Sequence, residues 1–276
     1  MSYPINYPTP QGANVQIFTA NTIATSGSNP TTWVKPQGAS MVWFTLIGTG
    51  GSGGNATSDA SAGTAAAGGG GSGAVTNCIV PAFLIPDILQ IRVYSGNFSN
   101  DTEIFYQNKT GNGYSLLIAT TGADGGNASS TGGGANYGAG GVAGTASPAN
   151  KFSAAGFFQS VAGQAGTSGT VGQTTSTTTF LQGGVGGNST ASQDPSQYGY
   201  GRSDYNTANQ NGYSVLRPII VGVASTRAGL TFTTADAALA SGNGFGCGGG
   251  GAFTSSASTT RYGTRGGDGL VVIVTW

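Results

Sequence analysis

Four groups of residues have the types and spacing to do chemistry. Gly48-Thr-Gly50-Gly-Ser-Gly53 follows an apolar run directly and carries the spacing of a dinucleotide-binding turn, in which amides at a helix start hold a pyrophosphate. Asp101 and Glu103 would share one face of a strand, the grouping that paired-carboxylate glycoside hydrolysis requires. Cys247, set between Gly246 and Gly248, is a candidate reactive thiol. Tyr137, Tyr198, Tyr200, Arg202, Tyr205 and Tyr262 lie in stretches with too few apolar neighbours to bury them, so they are candidate contact residues. Tyrosine among Ser, Gly and Asn is the composition of binding loops, where a stiff amphipathic ring gives contact area at low entropic cost.

The first and third groups lack the partners their chemistry needs, and the second is a spacing that any two acids of a folded chain can reach, including a solvated loop pair. After Gly53 the chain reads Gly54-Asn-Ala-Thr-Ser-Asp-Ala-Ser-Ala-Gly63, with no apolar stripe to make a helix, and the region about 20 residues on holds no acid for a ribose. A Walker-type Gly-Lys-Ser/Thr is absent from the chain. There is no histidine, which removes the commonest general base and the commonest metal ligand. Cys247 therefore has no histidine base, and Cys78 and Cys247 are too few for a disulfide framework, whether or not they pair. The aspartates fit neither the calcium nonapeptide nor an EF-hand loop. No cofactor or metal is expected, and no catalytic residue is assigned.

Composition narrows the partners. Glycine supplies 52 of 276 residues, about 19% against an average near 7%. Nine Lys and Arg balance nine Asp and Glu, at 7% charged residues overall. Charge-driven disorder needs a net charge, and a nucleic-acid or anionic-membrane partner needs a basic surface; neither is available here. No apolar run is long enough to span a bilayer, and the first residues, MSYPINYPTP, lack the basic start and apolar run of a secretory signal. The expectation is a soluble product of cytoplasmic synthesis.

The positioning elements are strands. Met41–Ile47 has apolar residues on both faces and reads as a strand covered from both sides. Leu270–Trp276 is a second strand, and in 88–94 Leu89, Ile91 and Val93 alternate with Gln90 and Arg92. Weaker strands are expected at 14–20, 74–80, 103–107, 114–120, 213–221 and 230–233, and about two helical turns at 234–240. Between them lie glycine tracts at 48–73, 122–144, 163–187, 242–251 and 263–269. These tracts fit either mobile surface loops or extended polyglycine II helices packed side by side, whose backbones bond laterally because no side chain separates them. No regular Gly-x-x period is expected in the tracts. The fold class is all-β, an antiparallel β-sandwich of jelly-roll type with long glycine-rich loops.

Trp33-Val-Lys-Pro36, then Gly38-Ala-Ser-Met-Val-Trp-Phe-Thr-Leu-Ile47 running into Gly48–Gly54, resembles the start of the glycine-rich domains of bacteriophage tail fibres and related virion proteins. Gly266-Gly-Asp-Gly-Leu-Val-Val-Ile-Val274 is similar to their ending, and 81–96 and 113–119 to their interior order. The resemblance implies one domain over 33–276, with 1–32 as an arm or added strand that meets another virion component. It also implies a non-enzymatic structural protein of the virion surface, a spike, fibre tip or decoration. Its partners would be other virion proteins and a host cell-surface glycan or outer-membrane protein, with a homo-oligomer such as a trimer as one assembly. Three alternatives remain open from sequence: a purely architectural capsid or tail protein, an ice-binding protein built on a glycine-rich bundle, and a glycan-degrading fibre using an acid pair.

Overall fold

The computed structural model describes residues 12–20, 30–59, 64–96, 100–107, 113–131, 135–146, 157–163, 165–166, 168–175, 178–182, 245–254 and 258–276. The strands expected at 213–221 and 230–233 and the helical turns at 234–240 lie outside these residues. Seventeen strands are present among the described residues: β1 (Asn14–Thr19), β2 (Thr31–Val34), β3 (Met41–Ile47), β4 (Ala56–Ser58), β5 (Thr64–Ala66), β6 (Val75–Pro81), β7 (Ile88–Arg92), β8 (Thr102–Gln107) and β9 (Gly113–Ala119) come first. Then follow β10 (Ala128–Ser130), β11 (Ala135–Tyr137), β12 (Phe157–Val161), β13 (Thr170–Thr175), β14 (Thr178–Gln182), β15 (Phe253–Thr254), β16 (Thr259–Arg261) and β17 (Leu270–Thr275). The one helical element among the described residues is a 3₁₀ turn at Ala82–Leu84, so none of them forms a helix long and apolar enough to cross a membrane.

Two antiparallel sheets make the sandwich: β1-β17-β3-β6-β12 and β2-β7-β8-β9. Alternation in β3 turns Val42, Phe44 and Leu46 inward at full burial, where they meet Cys78, Val80, Val271 and Ile273 of their own sheet and Trp33, Leu89, Ile91, Ile104 and Leu117 of the other. Trp33 and Phe44 meet edge to face, with ring centroids 6.2 Å apart. The outer face of β3 is not covered as its sequence suggests: Met41, Trp43 and Thr45 stay half-exposed. β1 closes the larger sheet by pairing Asn14–Thr19 with Leu270–Thr275 of β17.

Among the described residues, seven glycine helices leave one end of this sandwich or return to it. They are I (48–54), II (67–74), III (120–127), IV (138–144), V (the described residues of 163–169), VI (246–252) and VII (263–269). Their backbone bonds recur every third residue, the repeat of polyglycine II. Gly48, Gly51 and Gly54 of helix I donate N–H to the carbonyls of Ala74, Gly71 and Gly68 of helix II. Ala67, Gly70 and Gly73 of helix II donate to Ala252, Gly249 and Gly246 of helix VI, while Gly68, Gly71 and Ala74 donate to Gly126, Ala123 and Thr120 of helix III. The tracts are therefore ordered and packed, and the reading of them as mobile loops does not hold for the described residues. A Gly-x-x period does exist, contrary to the sequence reading: Gly48, Gly51 and Gly54, Gly138, Gly141 and Gly144, Gly163, Gly166 and Gly169, and Gly263, Gly266 and Gly269.

The bonding partners define a triangular lattice. Helix I touches II, III, VI and VII; helix II touches I, III, IV and VI, and also V, since a Cβ on Gly166 would lie 2.1 Å from the Gly69 carbonyl oxygen. One row is VII-I-III, the next VI-II-IV, and V packs beneath II and IV. The chain runs outward along I, III, V and VI and back along II, IV and VII, so the lattice mixes parallel and antiparallel neighbours. Glycine is required here by proximity: a Cβ at Gly50, Gly53 or Gly68 would sit within 2.0 Å of a neighbouring carbonyl oxygen.

At the far end the helices pass into two three-stranded sheets, β10-β4-β16 and β11-β5-β15. Both are mixed rather than antiparallel, because I and III run the same way and force β4 and β10 to be parallel, as II and IV force β5 and β11. The buried Ala56, Ala65, Ala67, Ala128 and Ala252 fill the space between these sheets with the smallest apolar side chain.

Candidate functional site

Side chains appear on the lattice where a position faces outward, and the three-residue repeat stacks them in columns. On the row VII-I-III the columns are Tyr262, Arg265 and Asp268; Thr49, Ser52 and Asn55; and Thr121, Asp124 and Asn127. Corresponding residues of helices I and III differ by 72 in number, and each pair is bonded. The Thr49 and Thr121 hydroxyls are 2.7 Å apart, the Ser52 N–H donates to Asp124 Oδ1 at 2.7 Å, and the Asn55 N–H donates to Asn127 Oδ1 at 2.7 Å. The next column joins in the same way, with the Gly263 N–H donating to Asn55 Oδ1 at 3.1 Å.

The physical cause is that a lattice edge leaves backbone amides without a neighbouring helix, and side-chain oxygens take the missing acceptor role. The same side chains, with a Cβ at every third place, keep a further glycine helix from approaching. An open glycine lattice would otherwise be an edge available for extension.

The sandwich end of this row is covered by residues 94–96 and 100–101. Thr49 Oγ1 donates to the Asn100 carbonyl at 2.9 Å, the Gly96 N–H donates to Asp268 Oδ1 at 3.0 Å, and the Thr121 N–H donates to Asp101 Oδ1 at 2.8 Å. Asp268 also pairs with Arg265. Beyond Ser52 and Asp124 the row is open. Asp124 and Asn127 are exposed, and Ser52, Asn55, Tyr262 and Arg265 are half-exposed. The columns continue into strands whose register places Ser129, Thr57 and Thr260 side by side, all three exposed. The result is a polar platform of hydroxyls, amides, one carboxylate, one guanidinium and one phenol, seated on glycine helices that bond laterally to one another.

The residues singled out from sequence fall in different places. Tyr262 closes one column of this platform. Tyr137 is exposed on β11, in the other distal sheet, opposite Ala66 of β5. Tyr198, Tyr200, Arg202 and Tyr205 lie outside the described residues. Asp101 caps the Thr121 amide, while Glu103 is engaged by Arg92 and by the Ser115 hydroxyl at 2.6 Å, so both carboxylates have structural partners. The amides of Gly48, Gly50, Gly51, Gly53 and Gly54, which would have to meet a phosphate, donate to the carbonyls of Ala74, Gly267, Gly71, Thr264 and Gly68. Cys78 and Cys247 are both buried and form no disulfide, and burial pushes the Cys78 thiol up to about 11. Among the described residues no cluster of three acids and cysteines could hold a metal ion.

Sequence reasoning missed Ser52, Asn55, Asp124 and Asn127. Their signal was present as a polar residue at every third place in Gly48-Thr-Gly-Gly-Ser-Gly-Gly-Asn55, and in Thr121-Gly-Ala-Asp-Gly-Gly-Asn127. The opposite end of the sandwich differs in chemistry. There Val34, Phe83, Leu84 and Ile88 are exposed, around the Lys35–Asp87 ion pair at 2.7 Å.

Residues 24–276 match the family model described as a glycine-rich domain. No curated protein matches the chain.

Proposed function

The chain belongs to the glycine-rich domain family, and from that premise we propose that it is a non-enzymatic structural protein of a bacteriophage virion surface that mediates attachment to the host. The observation that carries the reading is the lattice: buried backbone holds the distal sheets and their side chains at a fixed distance from the sandwich, and rigid presentation lowers the ordering cost of binding. The sequence resemblance of the 33–54 and 266–274 blocks to virion proteins supplies the setting. The partners in this reading are a host cell-surface glycan or outer-membrane protein at the lattice end, and other virion proteins at the end that exposes Val34, Phe83, Leu84 and Ile88. A trimer is the assembly we would look for first.

Labelled antibody against the chain should decorate one surface of intact particles. Virions carrying Tyr198→Ala, Tyr200→Ala and Tyr205→Ala should adsorb less well to cells. Antibody that labels no particle overturns the virion assignment, and unchanged adsorption removes those tyrosines from the contact. Purified protein that binds virions but never cells selects the purely architectural alternative.

A second reading draws on a specific observation. Helices III, IV and V expose a flat face of small uncharged side chains, with Ala139, Val142 and Thr145 in one column and Ala162, Ala165 and Ser168 in the next. The bonds from Gly163 to Gly144 and from Gly166 to Gly141 set these columns in register. Such a regular face is the surface an ice-binding protein needs. Thermal hysteresis by the purified chain is the result expected of that reading, and its absence eliminates it.

A further inference from the structure

We propose that the platform formed by Ser52, Asn55, Thr57, Asp124, Asn127, Ser129, Thr260 and Tyr262 is a binding site for a neutral oligosaccharide. This assignment rests on the glycan partner of the reading above and names the sugar class and the residues that hold it.

The chemistry of the face selects the ligand. A neutral sugar offers closely spaced hydroxyls that both donate and accept, and no charge. The platform answers with hydroxyls on Thr57, Ser129 and Thr260, which likewise do both. Asn55 and Asn127 have committed their amide oxygens to backbone N–H groups, so the Nδ2 donors are what they present outward. Asp124 Oδ1 is engaged by the Ser52 amide, which fixes this side chain at the edge of the face. Tyr262, half-exposed at the border, supplies a ring against which a sugar face can pack.

Other ligand classes fit less well. A phosphate-bearing chain needs a surplus of cations, whereas the guanidinium in the Tyr262 column, Arg265, is already paired with Asp268. A protein partner needs aromatic or aliphatic anchors at the centre of the contact, and the central column here is Ser52, Asn55 and Thr57.

Scale agrees as well. Thr260, Thr57 and Ser129 sit on adjacent strands, so the hydroxyl row spans about 9.5 Å at the usual strand spacing. From Ser52 to Asn55 is one turn of about 9.3 Å. From Asn55 to Thr57 is two strand residues, about 6.6 Å. A di- or trisaccharide covers that area. Because each Oδ1 contact ties one column to the next, the donors are fixed before ligand arrives.

The test uses the purified full chain on an array of defined neutral gluco-, galacto- and manno-oligosaccharides, with sialylated and phosphorylated oligosaccharides beside them. At least one neutral oligosaccharide should be retained in preference to the acidic set. Thr57→Val combined with Thr260→Val keeps shape and strand preference while removing two hydroxyls. Asn127→Asp keeps the acceptor for the Asn55 amide, as Asp124 does for Ser52, while removing the outward donor. Each variant should weaken binding at least tenfold while its melting temperature stays within about 2 °C of the parent. Retention of no neutral oligosaccharide, preference for the acidic set, or variants that bind as tightly as the parent each overturn the proposal. A chain that decorates particles but retains no neutral oligosaccharide overturns this assignment alone, and a chain that retains one but is found on no particle overturns the viral reading alone.

Discussion

Replacing Gly70 by alanine puts a methyl carbon where the lattice has a neighbouring peptide. Its Cβ would lie 2.1 Å from the Gly51 carbonyl oxygen and 2.5 Å from the Gly51 carbonyl carbon, both backbone atoms. Reaching an ordinary contact of 3.4 Å requires helices I and II to part locally by about 1.3 Å. Three bonds meet at this point: Gly70 N–H to Gly249 O at 2.8 Å, Gly51 N–H to Gly71 O at 2.9 Å, and Gly249 N–H to Gly51 O at 2.8 Å. Loss of two of them leaves buried groups unpaired at about 1–3 kcal/mol each. The stiffer unfolded chain of the variant returns about 0.4–1 kcal/mol. The net destabilisation is about 3 kcal/mol, which for a chain of this length lowers the melting temperature by about 6–12 °C. Differential scanning calorimetry reads this directly, with Ala123→Ser, at an exposed outward position of helix III, as a control that stays within about 0.5 kcal/mol of the parent. A Gly70→Ala protein that melts within 2 °C of the parent would refute the close packing of helices I and II.

Four further outcomes follow from the same structure. Asp124→Ala removes the acceptor of the Ser52 amide and should cost about 1–2 kcal/mol in urea unfolding, whereas Asp124→Asn, which reproduces the Asn127 contact, should recover most of it. Phe44→Ala, at the fully buried centre of the sandwich, should cost about 3–5 kcal/mol, while Phe83→Ala, at 82% exposure, should change stability by less than about 0.5 kcal/mol. Cys78 and Cys247 should resist a thiol reagent at pH 8 until the protein is unfolded, when both react. Because Cys78 ionises near 9.0 when exposed and near 11 in the fold, the unfolded state releases its proton first. Its contribution to stability is complete below pH 9 and declines as pH rises towards 11, a trend that Cys78→Ala should remove.

Much of the sandwich was legible because its strands carry alternating or continuous apolar residues. Met41–Ile47 appears at the expected bounds, and the strands expected at 14–20, 88–94, 103–107 and 114–120 differ by a residue or two at their ends. The distal strands β4, β5, β10, β11, β15 and β16 were not legible. They have two or three residues each, drawn largely from Ala, Ser and Thr, and their pairing comes from the lattice beneath them rather than from their own pattern. The lattice hides for a related reason: glycine has no side chain, so hydropathy carries no trace of which face is buried. What remains to be read is the spacing of residues that are not glycine, such as Thr49, Ser52 and Asn55 against Thr121, Asp124 and Asn127. Candidate contacts chosen by aromatic content found Tyr262, whereas its platform neighbours are short polar side chains that composition alone treats as filler.

The packed glycine lattice on which the account rests is most directly tested by amide hydrogen exchange followed by NMR at Gly51, Gly70, Gly71 and Gly249. Each of these amides donates to a carbonyl of a neighbouring glycine helix. They should exchange as slowly as the amides of Phe44 and Val271 at the centre of the sandwich, which open only with global unfolding. Exchange at the rate of an unstructured glycine peptide, with the sandwich strands still protected, would contradict it.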